Sequence, residues 1–228
     1  MKNVFTFLLL LFSLLCNGQS PKLFTTDKEL SSSLINQIYQ DRNGFIWIAT
    51  EDGLNRYDGA KFTIYKHEPN NEHSLAHNFV RTVFEDSKGH LLIGTYIGIQ
   101  MYDPATDNFT PLAKLEDTGE TLESNINSFI ERKNGEIWVS GNVLCKLDIE
   151  DHLLTVRKVD IAVTSPGSLF EDKKQNVWMA KGEEGVYQLT PDNQLTLHLS
   201  KDNGYVKSIC EDQRGNIYVG SIRKGLFL

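Results

Sequence analysis

The sequence predicts an all-β fold, a β-propeller segment of about five four-stranded blades, and three observations carry that prediction. The first is a repeated unit. Asp41-Arg-Asn-Gly-Phe-Ile-Trp-Ile-Ala-Thr50 returns as Asp86-Ser-Lys-Gly-His-Leu-Leu-Ile-Gly-Thr95, Arg132-Lys-Asn-Gly-Glu-Ile-Trp-Val-Ser140, Asp172-Lys-Lys-Gln-Asn-Val-Trp-Met-Ala180 and Asp212-Gln-Arg-Gly-Asn-Ile-Tyr-Val-Gly220. The second is the period: successive turn residues stand 45, 46, 40 and 40 positions apart, the spacing of solenoids, propellers and arrays. The third is strand content. Apolar and β-branched runs of four to six residues alternate with Asp, Asn and Gly punctuation, which selects strands and tight turns over helices.

Taken in order, Met1-Lys-Asn and the apolar run Val4 to Leu15 read as a signal peptide over residues 1–18, too short to span a bilayer. Leu15 makes Cys16 a poor fit to a lipoprotein site. Cleavage before Gln19 leaves 210 residues and, with Lys2 gone, moves the net charge from −7 to −8. The blades are placed at about 34–66, 75–110, 122–158, 166–199 and 205–228. In the first, strands are expected over Ile35 to Gln40, Phe45 to Thr50, Leu54 to Tyr57 and Phe62 to Tyr65. Gly44, Gly89, Gly135 and Gly215 end the first turn, where a left-handed backbone suits glycine. Blade four has Gln175 there, so a locally altered turn is expected, with Asn176 taking the left-handed conformation.

The second strand carries a small residue (Ala49, Gly94, Ser140, Ala180, Gly220) two places after a large one (Trp47, Leu92, Trp138, Trp178, Tyr218). The two-residue strand period puts both on one face, so neighbouring sheets can interdigitate there. Polar stretches such as His67 to His77 and Glu116 to Asn125 are loops between blades. Leu23 to Thr25 resembles an outer strand. The sequence stops at Leu228 inside a third strand, and the preferred expectation is the front part of a longer protein and a larger propeller. The alternative is a closed five-bladed ring in which Leu23 to Thr26 supplies the missing outer strand.

An acidic chain without a basic stripe argues against a nucleic-acid partner. After the leader no apolar stretch reaches membrane length. Cys145 and Cys210 fall on different blades and are expected as buried, unpaired thiols.

The repeat resembles the two-component regulator propeller repeat, Asn-x-Val/Ile-x-x-Ile-x-x-Asp-x-x-Gly-x-Ile-Trp-Ile-Gly-Thr-x-x-Gly-Leu-x-x-Tyr-Asp, with Asn36 to Asp58 and Asn78 to Asp103 carrying most of its positions. The resemblance implies the periplasmic sensor half of a hybrid two-component system that responds to oligosaccharides. The family's histidine kinase, nucleotide box and membrane helix have no counterpart in these residues.

No catalytic residue, metal ligand or cofactor motif stands out. His73 and His77 have helical metal spacing but sit in a loop. Glu51-Asp52 and Glu183-Glu184 lie on turns, where acids are usually just solvated. A secreted propeller hydrolase is the alternative function, and it should converge charged residues at the ring centre. A protein-interaction scaffold is the other. Recognition is expected on the rim formed by the second-to-third strand links, which vary from copy to copy, with Arg56, Tyr96 and Arg223 as ligand-binding residues. The expected partner is an oligosaccharide or a partner subunit, a homodimer included.

Overall fold

The computed structural model describes residues 21–27 and 29–228; the expected leader lies outside the described residues. Blade one is β1 (Ile35–Gln40), β2 (Ile46–Thr50), β3 (Gly53–Tyr57) and β4 (Phe62–Tyr65). Blade two is β5 (Val80–Glu85), β6 (Leu91–Thr95), β7 (Ile99–Asp103) and β8 (Asn108–Phe109). A link strand β9 (Lys114–Leu115) leads to blade three, β10 (Ser128–Glu131), β11 (Ile137–Ser140), β12 (Leu144–Glu150) and β13 (Leu153–Lys158). Blade four is β14 (Leu169–Glu171), β15 (Val177–Lys181), β16 (Gly185–Leu189) and β17 (Leu195–Leu199), and blade five is β18 (Val206–Glu211), β19 (Ile217–Ser221) and β20 (Gly225–Phe227). Each blade is an antiparallel meander paired in chain order. The first strands of successive blades touch one another, which makes them the inner circle.

Four apolar cores fill the four spaces between consecutive blades. Trp47, Ala49 and Leu54 of blade one meet Val83, Leu91 and Ile93 of blade two. Leu92 and Ile99 meet Phe129, Ile137 and Val139 in the next space. Trp138 and Leu144 face Leu169, Val177 and Met179, and Trp178, Ala180 and Val186 face Val206 and Val219. The alternating strand period therefore gives every blade a large-and-small face toward the following blade and an aliphatic face toward the preceding one. The small residue is required by close approach: a Cβ built on Gly94 would lie 2.6 Å from Thr82 Cγ2 and 2.7 Å from Ile126 Cγ2.

The first turn is built on one carboxylate. Asp41 Oδ1 accepts the amides of Asn43 and Phe45, and Oδ2 accepts the Trp47 indole N–H at 2.7 Å. Asp172 repeats this with Lys174, Asn176 and Trp178. Asp86 and Asp212 hold the same turn amides, and their second oxygen faces His90 Nδ1 or the Asn216 amide. Blade three has Arg132 instead. Its Asn134 Oδ1 takes the Glu136 amide, the Glu136 carboxylate takes the Trp138 indole, and the Arg132 guanidinium lies 4.7 Å above that ring. The expected rearrangement at blade four does not occur. Gln175 itself takes φ +67, like Gly44 at +87, and Asn176 instead donates its side-chain amide to Asp172. Two hydrogen bonds from its neighbour's backbone and side chain hold the turn shape, so the strained residue is tolerated.

Other expectations are corrected. Leu23 to Thr25 forms no strand. Phe24 packs its ring on Tyr57 and Phe62 of blade one, at 5.3 and 5.0 Å between centroids, so it does not complete blade five. The link after blade two is not only loop, because β9 adds a fifth strand, parallel to β13, at the outer edge of blade three. Cys145 is buried as expected, but Cys210 is exposed. Cys210 lies on the face of blade five that corresponds to the large-and-small faces of the others, and among the described residues no core joins that face to blade one. The same cause leaves Leu226 68% exposed where Leu54, Ile99 and Val186 are at 0%. At the opposite end Ile38 is 62% exposed where Val83 is at 1%.

Gly94→Leu is expected to lose about 1–3 kcal/mol by overpacking the space between blades two and three, and Trp138→Ala about 3–5 kcal/mol by opening a cavity. Urea unfolding measures both, and an unchanged midpoint in either variant would show that these faces are wrongly assigned. Burial raises the Cys145 thiol to about 11, with Lys158 opposing it weakly. In a folded chain beginning at Gln19, a thiol reagent at neutral pH should therefore label Cys210 quickly and Cys145 only on unfolding.

Candidate functional site

Antiparallel order gives the row of blades two rims. The β1–β2 and β3–β4 turns and their equivalents lie on one; the β2–β3 links and the connections between blades lie on the other.

The first rim is occupied by structural contacts. The acid that ends each first strand receives the turn amide of the preceding blade: Glu85 from Arg42, Glu131 from Ser87, Glu171 from Lys133 and Glu211 from Lys173, at 2.7–2.9 Å. Side chains reinforce the contact, with Arg42 Nε 2.6 Å from Glu85 and Arg132 Nε 2.9 Å from Glu171. Charge-assisted bonds of this kind are roughly twice as strong as neutral ones. Arg56 also belongs to this half of the molecule. It pairs in β3 with Trp47, its guanidinium lies 5.2–5.7 Å from the ring centres of Phe45, Trp47, Tyr65 and Tyr102, and it donates to Asp107 at 3.0 Å. Asp107 Oδ1 also accepts the Tyr65 and Tyr102 hydroxyls at 2.6 Å. Burial works against the Asp107 charge, yet the two phenols and Arg56 hold its carboxyl below the usual range. Burial and the carboxylate raise both tyrosines.

The second rim is concave and less committed. Tyr96 is 53% exposed at the β6–β7 link, with its ring backed by His77 at 5.6 Å and Phe79 at 6.1 Å. Beside it opens a groove of about 610 Å³ lined by Leu112, Thr121, Glu123, Asn125 and Asn142. Asn125 Oδ1 is buried there without a hydrogen-bond partner in the protein. Arg223 is exposed on the β19–β20 link of the same rim, three blades away from Tyr96. The structure thus places Tyr96 and Arg223 on one rim and Arg56 toward the other, and it gathers none of the three into a common pocket.

Two of the four acids weighed for catalysis are engaged. Asp52 is bridged to Lys66 and accepts from Asn78, while Glu184 pairs with Lys181 at 2.6 Å. His77 Nδ1 accepts the Phe79 amide at 2.9 Å and His73 Nδ1 faces the Phe109 carbonyl at 3.2 Å, so the two rings are tied to different backbone groups.

A column missed in the sequence stands five residues before each turn residue: Asn36, Arg81, Asn127, Gly167 and Lys207. Asn36, Arg81 and Lys207 are the extra residues of β-bulges at the start of the first strands, and bulges re-aim side chains. This register makes Asn36 the counterpart of Arg81, not of Asn78 as the motif suggested. Members of the column bridge blades, Asn36 Nδ2 to the Val80 carbonyl at 2.7 Å and Arg81 to Asn127 Oδ1 at 3.1 Å. Counting back from the turn residue would have exposed it.

Burial opposes the Glu136 charge, but Lys146, the Trp138 indole and Asn134 prevail and hold the carboxyl at about 2, below its ordinary 4.5. A depressed value stabilises the fold fully above pH 4.5, and that stabilisation drains away as pH falls toward 2. Glu136→Gln should flatten the acid limb of stability against pH in this window, as read by urea midpoints; an unaltered limb would remove Glu136 as its source.

The sequence profile of the family described as two component regulator propeller matches residues 29–52, 74–96 and 200–223. A histidine kinase, P4, of Formosa agariphila is 37% identical over 83 residues, covering 33% of this chain and 6% of that protein. The extracellular domain of a proposed hybrid two component system from B. thetaiotaomicron superposes with a TM-score of 0.72 at 18% identity, over 89% of this chain and 31% of that one. Virginiamycin B lyase from Staphylococcus aureus gives 0.62 at 14%, over 90% and 67%; both likenesses speak for the fold. The chain thus spans a small part of its kinase relative and about a third of the sensor-domain structure. With sequence profile, repeat register and fold in agreement, the chain is a β-propeller segment that carries the two component regulator propeller repeat at those three places.

Proposed function

We propose that this propeller is a non-catalytic ligand-sensing domain, the N-terminal periplasmic part of a hybrid two-component sensor that responds to oligosaccharides. One observation carries the reading: an exposed Tyr96 ring beside a groove whose walls offer amide, hydroxyl and carboxylate groups from Asn125, Asn142, Thr121 and Glu123. A flat aromatic face next to hydrogen-bonding groups suits a sugar ring, which has apolar C–H faces and hydroxyl edges. The kinase relative and the extracellular sensor-domain neighbour support the sensor context and a location outside the cytoplasm. The lyase neighbour shows that this fold can carry an enzyme, but Asp52 and Glu184, two of the acids weighed for hydrolysis, are held in ion pairs, which weighs against it. Arg223, from its exposed link on the same rim, is a second donor to a long ligand or to a partner subunit.

Calorimetric titration with a panel of neutral and acidic oligosaccharides should find one that binds, and Tyr96→Ala should weaken it about tenfold, some 1.4 kcal/mol. Reducing ends released from a polysaccharide by the protein, or binding untouched by both Tyr96→Ala and Arg223→Ala, would overturn the assignment.

A further inference from the structure

The inner circle holds a second concavity on the same rim, of about 340 Å³, and four blades contribute to its wall through Arg81, Asn127, Ser168, Lys181, Tyr205 and Lys207. Its charge is unlike that of the chain, whose net charge is −7. Lys181 is neutralised by Glu184. Among the described residues, neither Arg81 nor Lys207 has a carboxylate within 4.0 Å. Two uncompensated cations, Arg81 half-buried and Lys207 exposed, therefore line one concavity, where the field of a charge is screened less than on an open surface.

Arg81 is also incompletely satisfied. Its guanidinium lies 5.5 Å from the Phe79 ring centre and gives one N–H to Asn127, while its Nε is buried with no partner. Asn127 is pinned in turn by donating to the Pro166 carbonyl at 3.0 Å, so the guanidinium is pre-positioned. A planar, fixed guanidinium with spare donors is matched to the two oxygens of a carboxylate or sulfate. Tyr205, 43% exposed, supplies an apolar face at the edge of the same site.

We propose that this concavity binds the anionic oxygen group, carboxylate or sulfate, of an acidic sugar, with Arg81 and Lys207 as its charge partners and Tyr205 against the sugar ring. The proposal rests on the oligosaccharide reading and narrows it to acidic ligands. It also accounts for why the charge that converges at the ring centre is basic: two unpaired cations bind an anion but supply neither the acid nor the base of a hydrolytic pair.

The test is calorimetric titration of the chain with trigalacturonate, galactose 6-sulfate, inorganic sulfate and neutral galactotriose, at low and high salt. The expected result is binding of one of the two acidic sugars, at least tenfold tighter than galactotriose or inorganic sulfate and weakened by salt. Arg81→Met and Lys207→Met should each lower that affinity at least fivefold, and Arg81→Lys should restore part of it. Which acidic sugar binds tells carboxylate from sulfate. Galactotriose binding as tightly as the acidic sugars, with Tyr96→Ala weakening it and Arg81→Met not, would overturn the anion site and leave the oligosaccharide reading standing. Inorganic sulfate matching the best sugar would show a simple ion site and overturn the sugar assignment. Binding of none of the four would overturn this inference. Lys207 is exposed, so its variant decides the matter should Arg81→Met fail to fold.

Discussion

A single blade cannot bury both of its faces, and in two of the five the turn is tied to the packing face by a carboxylate that serves two directions at once. In blades one and four, one oxygen of the turn aspartate closes the backbone and the other grips the indole N–H of the tryptophan that fills the next space. The turn and the packing face are thereby set by one side chain. Charged acceptors shorten such bonds and make them expensive to leave unmade once buried. Asp172 shows the balance: burial opposes its charge, yet the Trp178 and Asn176 donors keep its carboxyl below the usual range. Blade three reaches the same end by a different circuit, in which Glu136 holds the indole and Arg132 covers its face.

The repeat made the strands and faces readable, because a two-residue period and a large-small pair leave few ways to stack sheets. Strand limits in blade one differ from expectation by a single residue at two ends. What could not be read was of two kinds. The first depends on partners distant in sequence: the short β9 joins Thr155 and Val156 some forty residues on, and nothing in Lys114-Leu115 announces it. The second depends on local strain being outvoted. Gln175 adopts the conformation expected of its neighbour because Asn176 is more useful as a donor to Asp172 than as the left-handed residue.

The candidate site was legible in part. Tyr96 could be singled out because a tyrosine in a link is conspicuous, and the structure places it exposed beside a groove. Arg56 could not be told from a surface donor, since its surroundings, four aromatic rings and Asp107, come from strands before and after it and from the next blade. The bulge column escaped because its residue types differ, Asn, Arg, Asn, Gly and Lys, and only their shared distance from the turn unites them. A repeat is easiest to see where it is constant, whereas recognition uses the positions where it is not.

The exposed end faces have a further consequence. Blade one presents the aliphatic surface, with Ile38 open, and blade five presents the surface around Tyr218, Gly220 and Leu226. These are the two unlike halves of the contact that the chain already makes four times internally. Two such segments meeting through them would join head to tail, a heterologous association that closes only if the accumulated rotation permits and otherwise propagates as an open filament. The stability of the isolated segment would then depend on its own concentration, with its terminal sheets exchanging between solvent and the next copy.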